Sequence, residues 1–186
     1  MSLSVLDMSV SVDGYVADTN DYLGGEDGER LHAWADSRDP SRPVKQFEDE
    51  WNAAGAILAG RRTAELMDHW GGSHGGLPIF VPSHRPPPPA ARWGYPLVTY
   101  VADGIESALA QAQAAAGEKA VCVAGGAMTV QQFLNVGLVD ELQIHLVSRL
   151  LGDGLRLFEH GTPLSLERTR VLESPGVTHL RFRVVK

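Results

Sequence analysis

Two adjacent glycines, Gly125 and Gly126, stand between an apolar run and a segment with helical spacing, in the sequence VAGGAMTVQQFL of residues 123–134. Glycines at the end of a strand let the backbone approach a ligand closely. The following helix offers unpaired N–H groups and the positive end of its dipole to an anion. The pattern is typical of a phosphate-binding turn. It lacks the third glycine of a dinucleotide fingerprint and the lysine of a P-loop, so a plain turn remains an alternative.

Two basic segments also follow predicted strands, and both could bind an anion. The first is GRRT, comprising Gly60, Arg61, Arg62 and Thr63. The second contains Ser83, His84 and Arg85. Guanidinium groups bind phosphate well, and ligands of open α/β sheets bind at the carboxyl ends of the strands. Together the segments predict an anion pocket, although each alone fits a solvated surface turn. We expect the Arg61 and Arg62 side chains to be largely solvated without a ligand.

A third segment, SVSVDGYVA at residues 9–17, breaks at Asp13-Gly14 and resumes with small residues against which a flat ring could lie. An ordinary Asp-Gly turn explains the same residues equally well.

A metal site built from Asp68, His69, His74 and His84 matches no known ligand spacing, and no metal is expected. The remaining histidines, His145 and His179 among them, are expected to pair locally or to face solvent.

Composition limits the classes of protein. With 186 residues, 44% of them hydrophobic, the chain is expected to form one domain over residues 1–186. A formal net charge of −7 and scattered basic residues argue against a general nucleic-acid surface. The single cysteine, Cys122, lies in an apolar strand and is expected to be buried. The sequence shows neither a membrane-spanning apolar run nor a signal peptide, so we expect a cytoplasmic protein.

Strand and helix periodicities alternate along the chain, which predicts an α/β fold. Strands are predicted over residues 3–12, 56–59, 78–81, 97–101, 120–124 and 141–147, and helices over 28–35, 45–54, 63–69 and 129–136. Asp103 and Glu106 suggest a capping box for an alanine-rich helix that ends at Gly117. Residues 167–186 predict two antiparallel strands joined at Ser174-Pro175-Gly176.

Five collinear segments resemble the RibD C-terminal domain family, which shares the dihydrofolate reductase fold. They are SVSVDGYVA, GRRTAELM, FVPSHRP, VAGGAMTVQQFL and GLVDELQIHLVSRLLGDGLRLF, and the match runs from about residue 3 to residue 185. The resemblance implies a three-layer α/β/α domain around a mixed, mostly parallel sheet with a C-terminal antiparallel hairpin. It also implies NADPH as cofactor and a homodimer. The apolar residues Ile144, Leu146 and Leu150 are a second reason to expect a homodimer.

Carried over by motif, the resemblance implies the residues that bind the cofactor. Gly125, Gly126, Ala127, Met128 and Thr129 would hold the pyrophosphate. Gly60, Arg61, Arg62 and Thr63, with Ser83, His84 and Arg85, would surround the adenosine phosphate. Ala17 would contact the nicotinamide, and Gly152 and Asp153 would lie near the rim of the pocket.

The resemblance leaves the substrate open. Riboflavin-pathway reductases carry an Ala-Asp-Asp-Pro type of segment where this chain has GRRTAELM. Candidate proton donors are Asp13, Asp36, Glu50 and His69, among which the sequence does not choose. The resemblance therefore predicts an NADPH-dependent reductase of a small heterocyclic substrate, similar to the 5-amino-6-(5-phosphoribosylamino)uracil reductase of riboflavin biosynthesis. A dihydrofolate reductase-like activity and an NADPH-binding protein without turnover are the alternatives.

Overall fold

The computed structural model describes residues 2–19, 30–35, 49–50, 53–89, 94–159, 161 and 163–186. Its strands are β1 (Ser4–Ser11), β2 (Tyr15–Ala17), β3 (Ala54–Leu58), β4 (Ile79–Pro82), β5 (Val98–Val101), β6 (Ala120–Val123), β7 (Glu141–Val147), β8 (Leu155–Arg156), β9 (Ser165–Ser174) and β10 (Val177–Val185). Its α-helices are α1 (Arg61–Leu66), α2 (Ile105–Ala116) and α3 (Ala127–Asn135), and short 3₁₀ helices cover Ala33–Ala35 and Asp68–Gly72. None of the helices in these ranges is long and apolar enough to cross a membrane.

Eight strands form one sheet in the order β5-β4-β3-β6-β1-β7-β10-β9. The first six strands in this order pair in parallel, and β10 pairs antiparallel with both β7 and β9. The short strands β2 and β8 pair separately. Because the parallel strands all run in the same direction, the turns that leave them gather at one edge of the sheet.

Helices cover both faces of the sheet, because successive side chains of each strand point to opposite faces. On one face, Leu58 of β3 and Val123 of β6 pack against α2 and α3 in the larger core cluster. On the other face, Ile57 and Cys122 from the same two strands pack with Ala64 of α1 in a second cluster. The predicted mixed sheet with flanking helices and a terminal antiparallel hairpin is confirmed, and Cys122 is buried as expected.

Most differences from the predicted elements lie at their ends. Helix α3 begins at Ala127, not at residue 129, and α1 ends at Leu66 instead of residue 69. The predicted capping box is wrong, because Gly104 occupies the N-cap of α2 and no side chain caps it. Ala54 belongs to β3, not to a helix; the rest of the helix predicted over residues 45–54 lies mostly outside the described residues, as does part of the one over 28–35.

Gly55 fixes how closely β3 and α2 approach. A Cβ at this position would lie 2.6 Å from both the Cα and the carbonyl oxygen of Ala116. Backbone atoms cannot move aside as a flexible side chain can, so we expect Gly55→Ala to lower the free energy of unfolding by about 1–3 kcal/mol. Urea unfolding measures this change. Gly94→Ala is the control, because its Cβ meets nothing within 4 Å, and equal losses in both variants would contradict the packing argument.

Candidate active site

A cavity of about 1120 Å³ opens at the edge where the parallel strands end. Its lining comes from the turns after β3, β4, β5 and β6 and from side chains of β1, β2 and β7. Thirteen of the fifteen residues predicted to bind the cofactor line this cavity: Ala17, Gly60, Arg61, Arg62, Thr63, Ser83, His84, Arg85, Gly125, Gly126, Ala127, Met128 and Thr129. The fold therefore brings together segments that are far apart in the sequence.

The turns after β3 and β6 form a single glycine-lined surface. The amide of Gly60 donates a hydrogen bond of 3.1 Å to the carbonyl oxygen of Gly125. Gly125 and Gly126 have φ angles of 89° and 79°, which side chains rarely tolerate. A Cβ on Gly125 would lie 3.0 Å from Cγ2 of Thr63, and one on Gly60 would collide with Oγ1 of Thr129. Glycine is thus required at both turns, and the backbone ahead of α3 is left accessible from the cavity.

Arg61 is anchored to the protein, so the expectation that its side chain is solvated is wrong. Its Nη1 donates to Oγ of Ser83 and to the carbonyl oxygens of Arg85 and Pro86, each at 2.9 Å. Its Nε lies 2.7 Å from a carboxylate oxygen of Glu65, and the side chain is only 17% exposed. Arg61 therefore ties the turn after β4 to α1. The neighbouring Arg62 is exposed, as predicted.

His69 contacts Tyr100, which in turn lies next to Arg61. Its Nε2 lies 2.7 Å from the hydroxyl of Tyr100, whose ring lies 5.5 Å from the guanidinium of Arg61. Burial lowers the pKa of His69, and burial also raises the pKa of Tyr100 to about 12, so both groups are uncharged at neutral pH. His69 does not line the cavity. Its position fits a structural partner of Tyr100 better than a proton donor.

Asp13 also has a structural environment. Ser11 donates a hydrogen bond of 2.6 Å to its carboxylate, and the amides of Leu151 and Gly152 donate two further bonds at 3.1 and 2.8 Å. These hydrogen bonds, that of Ser11 above all, lower its pKa to about 2. Asp13 is therefore ionised at neutral pH, and it does not line the cavity. Both facts argue against Asp13 as a proton donor.

Glu50, Gly152 and Asp153 are not brought to the cavity. Glu50 forms ion pairs with Arg170 and Arg181. Gly152 and Asp153, expected near the rim, are absent from the lining, and Gly152 bonds to Asp13 instead. Asp36 lies outside the described residues.

The structure adds acidic and aromatic residues that the sequence analysis missed. Asp7 and Ser9 of β1 line the cavity together with Trp34 and His145. The carboxylate of Asp7 lies 3.0 Å from Nε2 of His145, and the indole N–H of Trp34 donates to Ser9 at 2.9 Å. An aspartate inside a strand is unusual, because strands disfavour it. That signal in SVLDMSVS could have marked Asp7 for attention.

The order of the strands separates the arginine- and glycine-bearing turns of the cavity lining from Asp7 and His145. The arginine-bearing turns follow β3 and β4, the glycines follow β6, and Asp7 and His145 lie on β1 and β7. Adjacent strands are about 4.8 Å apart, so the distance from β4 to β1 is about 14 Å.

Within the described part of the chain, no group of three or more His, Cys, Asp or Glu side chains is arranged to hold a metal ion.

A mostly parallel sheet with a glycine-lined turn at its carboxyl edge defines an α/β protein of the dihydrofolate reductase-like class. The chain belongs to the RibD C-terminal domain family, which matches residues 4–180. No curated protein sequence matches it.

Solved structures share the fold at low sequence identity. A Shewanella protein with a provisional assignment to riboflavin biosynthesis has a TM-score of 0.78 and 22% identity, with 99% of each chain covered. Dihydrofolate reductase from Enterococcus faecalis, complexed with NADP(H) and RAB-propyl, has a TM-score of 0.64 and 13% identity over 99% of this chain and 97% of that one.

A third structure is larger than this chain. It is the diaminohydroxyphosphoribosylaminopyrimidine deaminase/5-amino-6-(5-phosphoribosylamino)uracil reductase of Thermotoga maritima, with a TM-score of 0.62 and 14% identity. The match covers 99% of this chain and 57% of that protein.

The two adjacent arginines provide a direct test of the site's construction. We expect Arg61→Ala to lower the free energy of unfolding by about 1–3 kcal/mol, because it removes hydrogen bonds from a charged, largely buried group. Arg62→Ala is the matched control and should have a smaller effect, because the side chain is exposed. Urea unfolding of both variants compares them. A loss from Arg62→Ala as large as that from Arg61→Ala would contradict the anchoring role.

Proposed function

We propose that this chain is an NADPH-dependent reductase of a small heterocyclic substrate and that it acts in the cytoplasm. The observation that carries the proposal is the glycine-lined surface of Gly60, Gly125 and Gly126, which opens into a cavity with arginines at one end and Asp7 at the other. Membership of the RibD C-terminal domain family and the likeness to reductases support it.

The residues present fit the cofactor. A pyrophosphate needs backbone N–H groups that no side chain shields, and the turn before α3 supplies them. Met128 and Thr129 continue this turn into the helix. Arg62, with the exposed His84 and Arg85, would hold the 2′-phosphate that distinguishes NADPH from NADH.

The chemistry of the proposed reaction divides between cofactor and protein. NADPH, when bound, supplies a hydride. The chain orients the cofactor through the turns after β3 and β6, and it places the buried side chains of Val16 and Ala17 along the wall next to β1. These apolar side chains line the same cavity as Asp7. We infer that a flat, uncharged ring system binds in the cavity that this wall and Trp34 both line.

A homodimer is also part of the proposal. Leu150 is 72% exposed, which leaves a large apolar side chain available for a partner, whereas Ile144 is buried in the core of its own chain. Light scattering, which distinguishes 20.1 kDa from twice that mass, decides between the two states.

The reductase proposal is tested first by binding and then by turnover. We expect calorimetry to detect NADPH binding. We also expect NADPH oxidation with one member of a panel of heterocycles that includes 5-amino-6-(5-phosphoribosylamino)uracil and dihydrofolate. Gly126→Ala should weaken NADPH binding at least tenfold, a change of about 1.4 kcal/mol, because its methyl group would intrude where the backbone must meet phosphate.

Gly117→Ala is the matched control. Gly117 also has a positive φ, of 64°, but it ends α2 and its Cβ would meet nothing within 4 Å. Its variant should therefore share the backbone strain and keep the affinity for NADPH within about twofold of the parent. No binding by the parent at millimolar NADPH would refute the proposal. Binding of NADPH without its oxidation by any acceptor would indicate a nucleotide-binding protein without turnover.

Cofactor preference tests Arg62. A charge-assisted hydrogen bond contributes about 1.5–3 kcal/mol, so Arg62→Ala should weaken NADPH about ten- to a hundredfold. NADH, which has no 2′-phosphate, should bind the variant and the parent alike. Fluorescence titrations with both cofactors measure this difference, with Arg183→Ala of β10 as an exposed arginine remote from the cavity. Equal losses for both cofactors, or a parent that prefers NADH, would disprove the assignment.

A further inference from the structure

A line of hydrogen-bonded side chains runs from the cavity across four neighbouring strands. Oδ1 of Asp7 on β1 lies 3.0 Å from Nε2 of His145 on β7. Nδ1 of His145 lies 2.7 Å from Nδ1 of His179 on β10. Nε2 of His179 lies 3.0 Å from Oγ of Ser174, the last residue of β9. Every link is within hydrogen-bonding distance, and each imidazole uses both of its nitrogens.

The two ends of this line reach different surroundings. The Asp7 side chain is 26% exposed and lines the cavity. Ser174 is partly exposed on the edge strand β9, at the other end of the line. The two imidazoles between them are buried, with 2% and 1% of their surfaces exposed. The line therefore connects the cavity to the edge of the sheet through a region that water does not reach freely.

Hydrogen-bond chemistry allows two arrangements of protons along this line. With Asp7 ionised, Nε2–H of His145 donates to Asp7, Nδ1–H of His179 donates to His145, and the hydroxyl of Ser174 donates to His179. With Asp7 protonated, every one of these hydrogen bonds reverses its direction. The two arrangements differ by one proton, and neither requires a charged imidazole. A proton can thus enter at Ser174 and reach Asp7 by a change of tautomer at each ring.

The surroundings of His179 favour an uncharged ring. Burial, aided by the neighbouring His145, lowers the pKa of His179 to about 4, so this ring is neutral at pH 7. The indole of Trp34 stacks against His145 with ring centroids 4.1 Å apart. The ionisable groups around the line are Arg170 and Arg181, their ion-pair partners Glu50 and Glu141, and the buried thiol of Cys122. Each of the two guanidiniums is already paired with a carboxylate.

We propose that Asp7 gives a proton to the substrate and that His145 and His179 resupply Asp7 from Ser174. This proposal rests on the proposed reductase function. The substrate's unsaturated carbon accepts a hydride, its adjacent nitrogen or oxygen takes the carboxyl proton of Asp7, and the double bond between them becomes single. Donation leaves the ring protons on Nδ1 of His145 and Nε2 of His179, so both rings first return to the opposite tautomers by proton exchange with solvent. Asp7 then recovers a proton from Nε2 of His145. That ring takes one from His179, His179 takes one from Ser174, and Ser174 takes one from solvent.

The tautomers of the two rings test this proposal without any substrate. Nitrogen-15 NMR of the parent protein distinguishes protonated from unprotonated ring nitrogens. As the pH is lowered, the proton of His145 should move from Nε2 to Nδ1 and that of His179 from Nδ1 to Nε2. Asp7→Asn should abolish this exchange. Glu167→Gln, a matched acid-to-amide change at an exposed residue of β9, should leave it unchanged.

Rings that keep their tautomers throughout would overturn the relay, as would an Asp7→Asn variant whose rings exchange tautomers as those of the parent do. The parent titration alone decides this point, so the test does not depend on the folding of a variant. With an acceptor from the screen, Asp7→Asn should lower kcat about 100-fold or more and leave the Kd for NADPH within twofold. Unchanged kcat would refute the role of Asp7, whereas loss of NADPH binding by the parent would refute the reductase function itself.

Discussion

The contact between the turns that follow β3 and β6 is the constraint on which the rest of the site depends. These strands are parallel neighbours, with Leu58 opposite Val123, so both turns leave the sheet at the same height. The hydrogen bond from Gly60 to Gly125 then joins them. The space beside each glycine is filled by a threonine from the first turn of the helix that follows the other strand. A side chain at either glycine would separate the two helices and close the accessible backbone of α3.

The strands on the two sides of this contact carry different kinds of side chain. The strands on one side carry mostly apolar residues, and β3 and β4 among them are followed by the basic turns. The strands on the other side, β1, β7 and β10, direct polar side chains such as Asp7, Gln143 and His145 to the face that bears the cavity. Buried polar groups are stable only when they are hydrogen-bonded, and the Asp7–His145–His179–Ser174 line meets that requirement. The same hydrogen bonds provide a route for a proton.

Local patterns in the sequence were sufficient for much of this structure. The prediction for β7 agrees with the observed bounds, and the glycine pair was recognised because strand, turn and helix are consecutive in the chain. The basic turns were recognised for the same reason. The anchoring of Arg61 could not be predicted, because its partners Ser83, Arg85 and Pro86 are more than twenty residues away. Asp7 and His145 are separated by 138 positions, and only the parallel pairing of β1 with β7 brings them together.

The proposed function requires that the backbone between β6 and α3 bind the phosphates of NADPH. Backbone amide NMR of the nitrogen-15-labelled protein during titration with NADPH measures this most directly, because each amide reports on its own surroundings. We expect the largest shifts for the amides of residues 125–129 and of Arg62 and Thr63, while those of β9 stay in place. Saturable shifts confined to other parts of the chain, or no shifts at millimolar NADPH, would contradict it.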